Sequence, residues 1–127
     1  MPLWLLHDTA QSSAAMQARW QDLGATLLSV PTLIGRHLDP AAMLAALGAA
    51  GLTRVFCEGG GSLAASLLSA GLVDELIGFT AGVALGAEGQ PALGALGLDT
   101  LASAPRFQLV EARAIGGDVL HHWRRAT

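Results

Sequence analysis

Apolar residues fall into short runs along this chain, each stopped by glycine, proline or a charge, and the spacing within the runs switches between two kinds. Leu3–His7 is short and continuous, as in a strand covered on both faces. Ser13–Leu23 has helical spacing, and Gly24 stands where a C-terminal cap belongs. Ala25–Val30 reads as a second strand stopped by Pro31, and residues 31–38 as a loop. Asp39-Pro40 is a helix start, with an acceptor at the N-cap and proline in the first turn. The alanine- and leucine-rich run then continues to Ala50 and ends at Gly51. Arg54–Cys57 is the third predicted strand and Ser62–Ala70 the third helix, closed by Gly71.

Beyond Gly71 the pattern changes. Glu75–Leu85 predicts a long strand starting at the surface with Asp74-Glu75, and Gly78 and Gly82 inside it mark a bulge or a close approach. Residues 86–97 form a glycine-rich loop containing Pro91. Arg106–Ala114 and Asp118–Arg124 are two more strands, and Gly116-Gly117 between them is a two-residue hairpin turn. The order βαβαβαβ plus a hairpin predicts an α/β fold, with a mainly parallel sheet, flanking helices and an antiparallel C-terminal hairpin. No repeat or linker divides the 127 residues, so one domain over 1–127 is expected.

Composition narrows the function classes. Hydrophobic residues make up 52%, enough for a core and against disorder. No apolar run approaches the ~20 residues of a spanning helix. The start, Met1-Pro2-Leu3-Trp4, lacks the basic flank and cleavage pattern of a secretory leader. No membrane partner and a cytoplasmic location are therefore expected. The formal net charge is −3, and the seven basic residues are all arginine, scattered apart from Arg124-Arg125. Without a continuous positive strip, no nucleic-acid partner is expected. The absence of lysine excludes Schiff-base chemistry and the Gly-Lys-Ser/Thr phosphate loop. Cys57 is the single cysteine, which excludes an internal disulfide, and it is expected to pack as a small buried strand residue. His121 and His122, adjacent on a strand, should point to opposite faces, and with no suitably spaced acid or third histidine no metal site is expected. Ser12-Ser13 reads as a helix N-cap.

The stretch VFCEGGGSLAASLL, residues 55–68, carries the chemistry. A strand, a glycine turn and a helix N-terminus together make an anion site, because the first-turn N–H groups are free and the helix dipole adds partial positive charge. Gly59-Gly60-Gly61 lets a phosphate or a flat ring lie directly on the backbone. Three glycines also permit nothing more than a tight turn and close helix packing. Gly59-x-Gly61-x-x-Ala64 fits the Rossmann spacing, but that site wants an acid at the end of the following strand. Here Asp74 and Glu75 open that strand and Thr80–Leu85 has none, so a standard Rossmann site is disfavoured. Glu58 tilts the reading toward function. An acid at the carboxyl end of a strand lies where open α/β sheets bind ligands, and burying it unpaired would be costly.

RVFCEGGGSLAASLLSAGLVDELIGFTAGVALG, followed by GQPALGALGLDTLASAPRFQLVEARAIGGDVLHHWR, resembles the reductase domain of bacterial riboflavin biosynthesis. The family's hallmark is VEGGxxLAxxLLxAGLVDEL, then a Leu-Gly loop, PAL and LGxD, and the similarity runs through nearly the whole chain. The resemblance implies a dihydrofolate-reductase-like fold and NADPH as cofactor. It implies reduction of the ribosyl group of 5-amino-6-(5-phosphoribosylamino)uracil, a small phosphoribosylaminopyrimidine, to the ribityl form. By it Glu58 contacts substrate, and Gly60, Gly61, Ser62, Leu63, Ala64, Ala65 and Ser66 form the wall for the NADPH phosphates and nicotinamide. It also implies an unusual peptide bond at Gly59-Gly60, with cis geometry as one form. Where the family often has Thr at the end of the first strand, this chain has His7.

The family's domain opens with strands and helices that precede the counterpart of Pro2-Leu3-Trp4. By that comparison the chain is expected to be the C-terminal part of a reductase domain, with N-terminal strands missing, and an incomplete enzyme. Val55-Phe56-Cys57 is then expected to form an open strand edge, and the chain to be a homodimer or larger. Two other readings remain: a divergent dihydrofolate-reductase-like reductase of another heterocycle, and a non-catalytic structural or oligomerising fragment.

Overall fold

The structure, a computed structural model, describes residues 2–34 and 37–126, and divides into two compact units, Met1–Phe56 and Cys57–Thr127. The first unit holds β1 (Leu3–His7), α1 (Ala14–Asp22), β2 (Ala25–Ser29) and α2 (Pro40–Ala49). The second holds α3 (Gly61–Ser69), β3 (Glu75–Thr80), two short 3₁₀ turns at Gly86–Glu88 and Leu101–Ser103, β4 (Phe107–Ile115) and β5 (Asp118–Arg125).

In the first unit β1 and β2 pair in parallel, from Leu3 opposite Ala25 to His7 opposite Ser29. Each helix begins and ends where its punctuation lies. The Ser13 hydroxyl accepts from the Met16 amide at 3.2 Å, and Asp39 Oδ1 accepts from the Ala41 amide at 2.9 Å. The α1 and α2 runs end at Gly24 and Gly51, whose φ values of +84° and +97° favour glycine. Part of the predicted loop 31–38, Gly35-Arg36, lies outside the described residues; Thr32 and Leu38 beside it form an antiparallel bridge.

The second unit is built on a three-stranded antiparallel sheet in the order β3-β5-β4. Its hairpin turns at Gly116-Gly117, with Gly116 at φ +60°, and the register slips once between Leu109 and Glu111. Gly78 is the close approach its position announced: the His121 imidazole lies over it, where any Cβ would collide. His121 and His122 do face opposite sides. His121 meets Thr80 and accepts from the Trp123 indole N–H at 2.8 Å, whereas His122 pairs with Glu75 at 3.1 Å.

The alternation of helices and strands therefore gives a mixed α/β structure with a parallel sheet, helices and an antiparallel hairpin, but the strand assignments need three corrections. Arg54–Cys57 is not a strand: the segment has no ladder partner among the described residues, and a β conformation without a neighbour has nothing to hold it. The parallel portion accordingly stops at two strands. The long strand Glu75–Leu85 ends at Thr80, where β5 runs out opposite it at Val119. Cys57 is exposed instead of buried, because without strand neighbours it has no face to pack on.

Candidate functional site

The glycine stretch opens α3 directly. Gly60 is its N-cap, at φ −68° and ψ 171°, and offers no side-chain acceptor. The first helical bond runs from the Ala64 amide to the Gly60 carbonyl, at 3.2 Å. The amides of Gly61, Ser62 and Leu63 have no acceptor among the described residues, so three donors point away from the helix end unsatisfied. Their dipoles reinforce one another, which makes this end attractive to an anion.

The expected unusual bond at Gly59-Gly60 is absent. The described residues contain no cis peptide, and none of Gly59, Gly60 and Gly61 has positive φ. Gly60 itself is in ordinary extended backbone, so the helix start requires no strained peptide.

The three glycines have different neighbours. A Cβ at Gly59 would strike the Leu63 side chain at 2.7 Å. A Cβ at Gly61 would crowd the Pro91 carbonyl oxygen at 3.0 Å, the Ala92 carbonyl oxygen at 3.1 Å and the Gly94 amide nitrogen at 3.1 Å. Gly61 is thus the contact through which residues 91–94 dock on the first turn, fastened by the Gly94 N–H donating to the Gly61 carbonyl at 2.9 Å. Gly60 is open, with nothing within 4 Å of where a Cβ would be. Of these three, Gly60 alone has no neighbour among the described residues that requires glycine.

The side chains that follow divide by helix face. Ser62 and Ser66, one turn apart, are exposed. The Ser66 hydroxyl donates back to the Ser62 carbonyl at 3.0 Å, while the Ser62 hydroxyl has no partner among the described residues. Ala65 is buried, and Leu63 and Ala64 are half-buried, so they set the helix in place while Ser62 faces outward. Glu58, two residues before the cap, is exposed and makes no hydrogen bond or ion pair among the described residues. An unpaired carboxylate thus lies two residues before the cap of a helix whose first three amides are unpaired among the described residues.

Sequence reasoning missed a second polar cluster, at the carboxyl ends of β1 and β2. Asp8 accepts from the Thr32 hydroxyl and the Ala10 amide, both at 2.8 Å, and from the Gln11 side-chain amide at 3.1 Å. These donors, Thr32 first, hold its carboxyl below the usual carboxylate range. Ser12 donates to the Asp8 carbonyl at 2.9 Å, so the His7 Nδ1–H donates to the Ser12 hydroxyl at 3.0 Å. Thr9 and Ser29 close the group at 2.6 Å. The only signal in the sequence is the density of polar residues in His7-Asp8-Thr9 and Ser12, of which Ser12 alone is read as part of a helix cap.

Comparison with known proteins gives a consistent picture. A family model described as the RibD C-terminal domain matches residues 4–121. The chain is 40% identical over 103 residues to the riboflavin biosynthesis protein RibD of Escherichia coli strain K12, which covers 81% of this chain and 28% of that protein. Among solved structures, Acinetobacter baumannii RibD matches with a TM-score of 0.72 and 19% identity, over 98% of this chain and 37% of that one. A pyrimidine reductase-like protein from Corynebacterium diphtheriae matches with a TM-score of 0.74 and 22% identity, over 98% of this chain and 50% of that one. These likenesses show a shared fold. The chain spans well under two thirds of the length of each of these relatives.

Proposed function

We propose a function from one premise: the chain belongs to the RibD C-terminal domain family. Its residues serve an NADPH-dependent reduction in riboflavin biosynthesis, in which 5-amino-6-(5-phosphoribosylamino)uracil becomes the ribitylamino compound. The observation that carries this reading is the helix end at Gly60: three orphan amides, an open glycine and an exposed, unpartnered acid two residues upstream. Residues 1–127 are read as part of a single reductase domain.

The fit to a dinucleotide is a matter of donors and room. The amides of Gly61, Ser62 and Leu63 suit phosphate oxygens, and the space over Gly60 lets a ligand approach the backbone. Ser62 adds a hydroxyl on the same turn; Ser66 is the next residue along that face, with Leu63, Ala64 and Ala65 holding the turn from behind. When bound, NADPH supplies the hydride. Glu58 accepts hydrogen bonds from the N–H or hydroxyl groups of the substrate and thereby orients it. The protein contributes position and polarity; no side chain here is assigned the proton.

The test is NADPH oxidation followed by absorbance after addition of the aminopyrimidine. Turnover with this substrate, and a Glu58→Gln variant that weakens substrate far more than NADPH, is the expected result. Oxidation with another heterocycle alone would favour a divergent reductase. Equal loss of both ligands in Glu58→Gln would remove Glu58 from the substrate side.

One observation favours a second reading, a fragment that acts by assembly. Large apolar residues are widely exposed, Phe56 at 75% and Phe79 at 63% among them. A surface of that kind is usually covered by another chain or another part of the same protein. A homodimer or larger assembly is the proposed state under either reading, and an inert but oligomeric chain would select the second.

A further inference from the structure

A cavity of about 320 Å³ lies in the second unit, at the end of α3 opposite Gly60. Leu68, Val73 and Phe107 are among its apolar lining residues, and Ser103, Arg106 and Arg125 among its polar ones. It is a half-open depression, not an enclosed space, with a volume at the lower end of the range for small-molecule sites.

The charge balance in this cavity is lopsided. Arg106 donates from Nη2 to the Leu101 carbonyl at 3.1 Å and has no carboxylate partner among the described residues. Arg125 donates from Nε to the Val73 carbonyl at 2.9 Å, and its Nη2 lies 3.5 Å from Asp74 Oδ1. Asp74 is 91% exposed, so that pair is a screened surface contact. Among the described residues Arg106 thus has no counter-charge and Arg125 only one weak, exposed one, in a chain whose formal net charge is −3.

Both arginines are held by a fixed backbone. The Arg125 amide donates to the Asp74 carbonyl at 2.8 Å, and the Ala126 amide to the Arg106 carbonyl at 3.0 Å. Phe107 stands directly opposite Arg125 in the β4–β5 ladder. The negative end of α3 is blunted here as well. Gly71, at φ +67°, donates to the Leu68 carbonyl and Leu72 to the Leu67 carbonyl, which occupies two of the last-turn acceptors.

We propose that this cavity is a binding site for a small organic anion, a carboxylate or phosphate monoester carried on an apolar body. Arg106 and Arg125 engage the anionic group, as guanidinium forks do, and Leu68, Val73 and Phe107 cover the apolar part. The site is separate from the Gly60 helix end and does not depend on the function proposed for it.

The probe is phenyl phosphate, titrated into the full chain with detection by NMR of backbone amides and arginine Nε–H groups. Saturable shifts centred on Arg106, Phe107 and Arg125, with a Kd of about 1 mM or tighter, are expected. Inorganic phosphate and phenol, each with half of the required chemistry, should bind at least about tenfold more weakly. Arg106→Gln should weaken phenyl phosphate about tenfold with an unchanged thermal melt. Ser103→Glu, which sets a carboxylate on the wall, should do the same without touching an arginine. Absence of saturation, shifts centred on Gly60–Ser62, equal affinity for phenol, or full affinity in both variants would each overturn the proposal.

Discussion

A methyl group at Gly61 would sit 3.0 Å from the Pro91 carbonyl oxygen, whereas one at Gly60 would meet nothing within 4 Å. Two neighbouring glycines should therefore respond to the same change by different amounts and for different reasons. Gly61→Ala should destabilise by about 1–3 kcal/mol, the usual cost of overpacking, since its neighbours are backbone atoms that yield poorly. Gly60→Ala should cost less, about 0.5–1 kcal/mol, because alanine is a poorer N-cap than glycine but meets no steric obstacle there. Chemical denaturation of both variants checks the pair. Gly60→Val should keep the fold but lose NADPH, and retention of binding would reduce the loop to a packing turn. The run of glycines was plain in the sequence, but their division of labour was not: it is set by residues 91–94, about thirty positions away in the chain, and no local pattern reports such a contact.

Asp8 gives a pH prediction at the same scale. Its folded-state pKa is lowered by Thr32, Ala10 and Gln11 in that order. A depressed carboxyl contributes stability that is present above its unfolded pKa and is lost as pH falls through the folded value. Thermal melts of the chain should therefore fall on acidification below the ordinary carboxylate range. Asp8→Asn should flatten that part of the profile, and an unaltered acid profile in the variant would contradict the assignment.

Among the elements, helices were legible because each carries its own start and stop. Asp39 Oδ1 accepts from Ala41 at 2.9 Å, so Asp39→Ala should cost about 0.5–2 kcal/mol, measured by denaturant melts. The hairpin was legible for the same reason: Gly116-Gly117 lies between two apolar strands. Strands elsewhere depend on partners that the local sequence does not contain. Val55-Phe56-Cys57 has the composition of a strand, but with no ladder beside it among the described residues the segment is exposed and forms no strand. Gly78 belongs to the same scale, since its necessity comes from His121 on the neighbouring strand. Gly78→Ala should displace that imidazole and break its bond to the Trp123 indole, at about 1–3 kcal/mol. The upfield or downfield movement of one indole N–H resonance would report it, and an unshifted resonance would rule it out.

For the whole molecule, the buried hydrophobic set among the described residues is small: Ala25, Val30, Ala65, Leu67 and Leu68. So small a core gives little burial per residue against the entropy of ordering the chain, which argues for further cover. Light scattering at micromolar concentration should find a dimer or larger, and a monomer melting cooperatively would refute it. The family itself was legible from VFCEGGGSLAASLL and the residues after it, because that stretch combines an acid, the glycines and a helix in one continuous segment. The polar cluster around Asp8 was not, since Thr32 reaches it across 24 positions.

The central claim is that the helix end at Gly60 receives the phosphates of NADPH. It is tested most directly by titrating NADPH into the full chain while following backbone amide resonances. The account predicts saturable shifts largest at Gly60, Gly61, Ser62 and Leu63, with matching movement of the pyrophosphate phosphorus signals, both lost in Gly60→Val. Binding that leaves those amides unmoved, or that survives Gly60→Val at full strength, would contradict it.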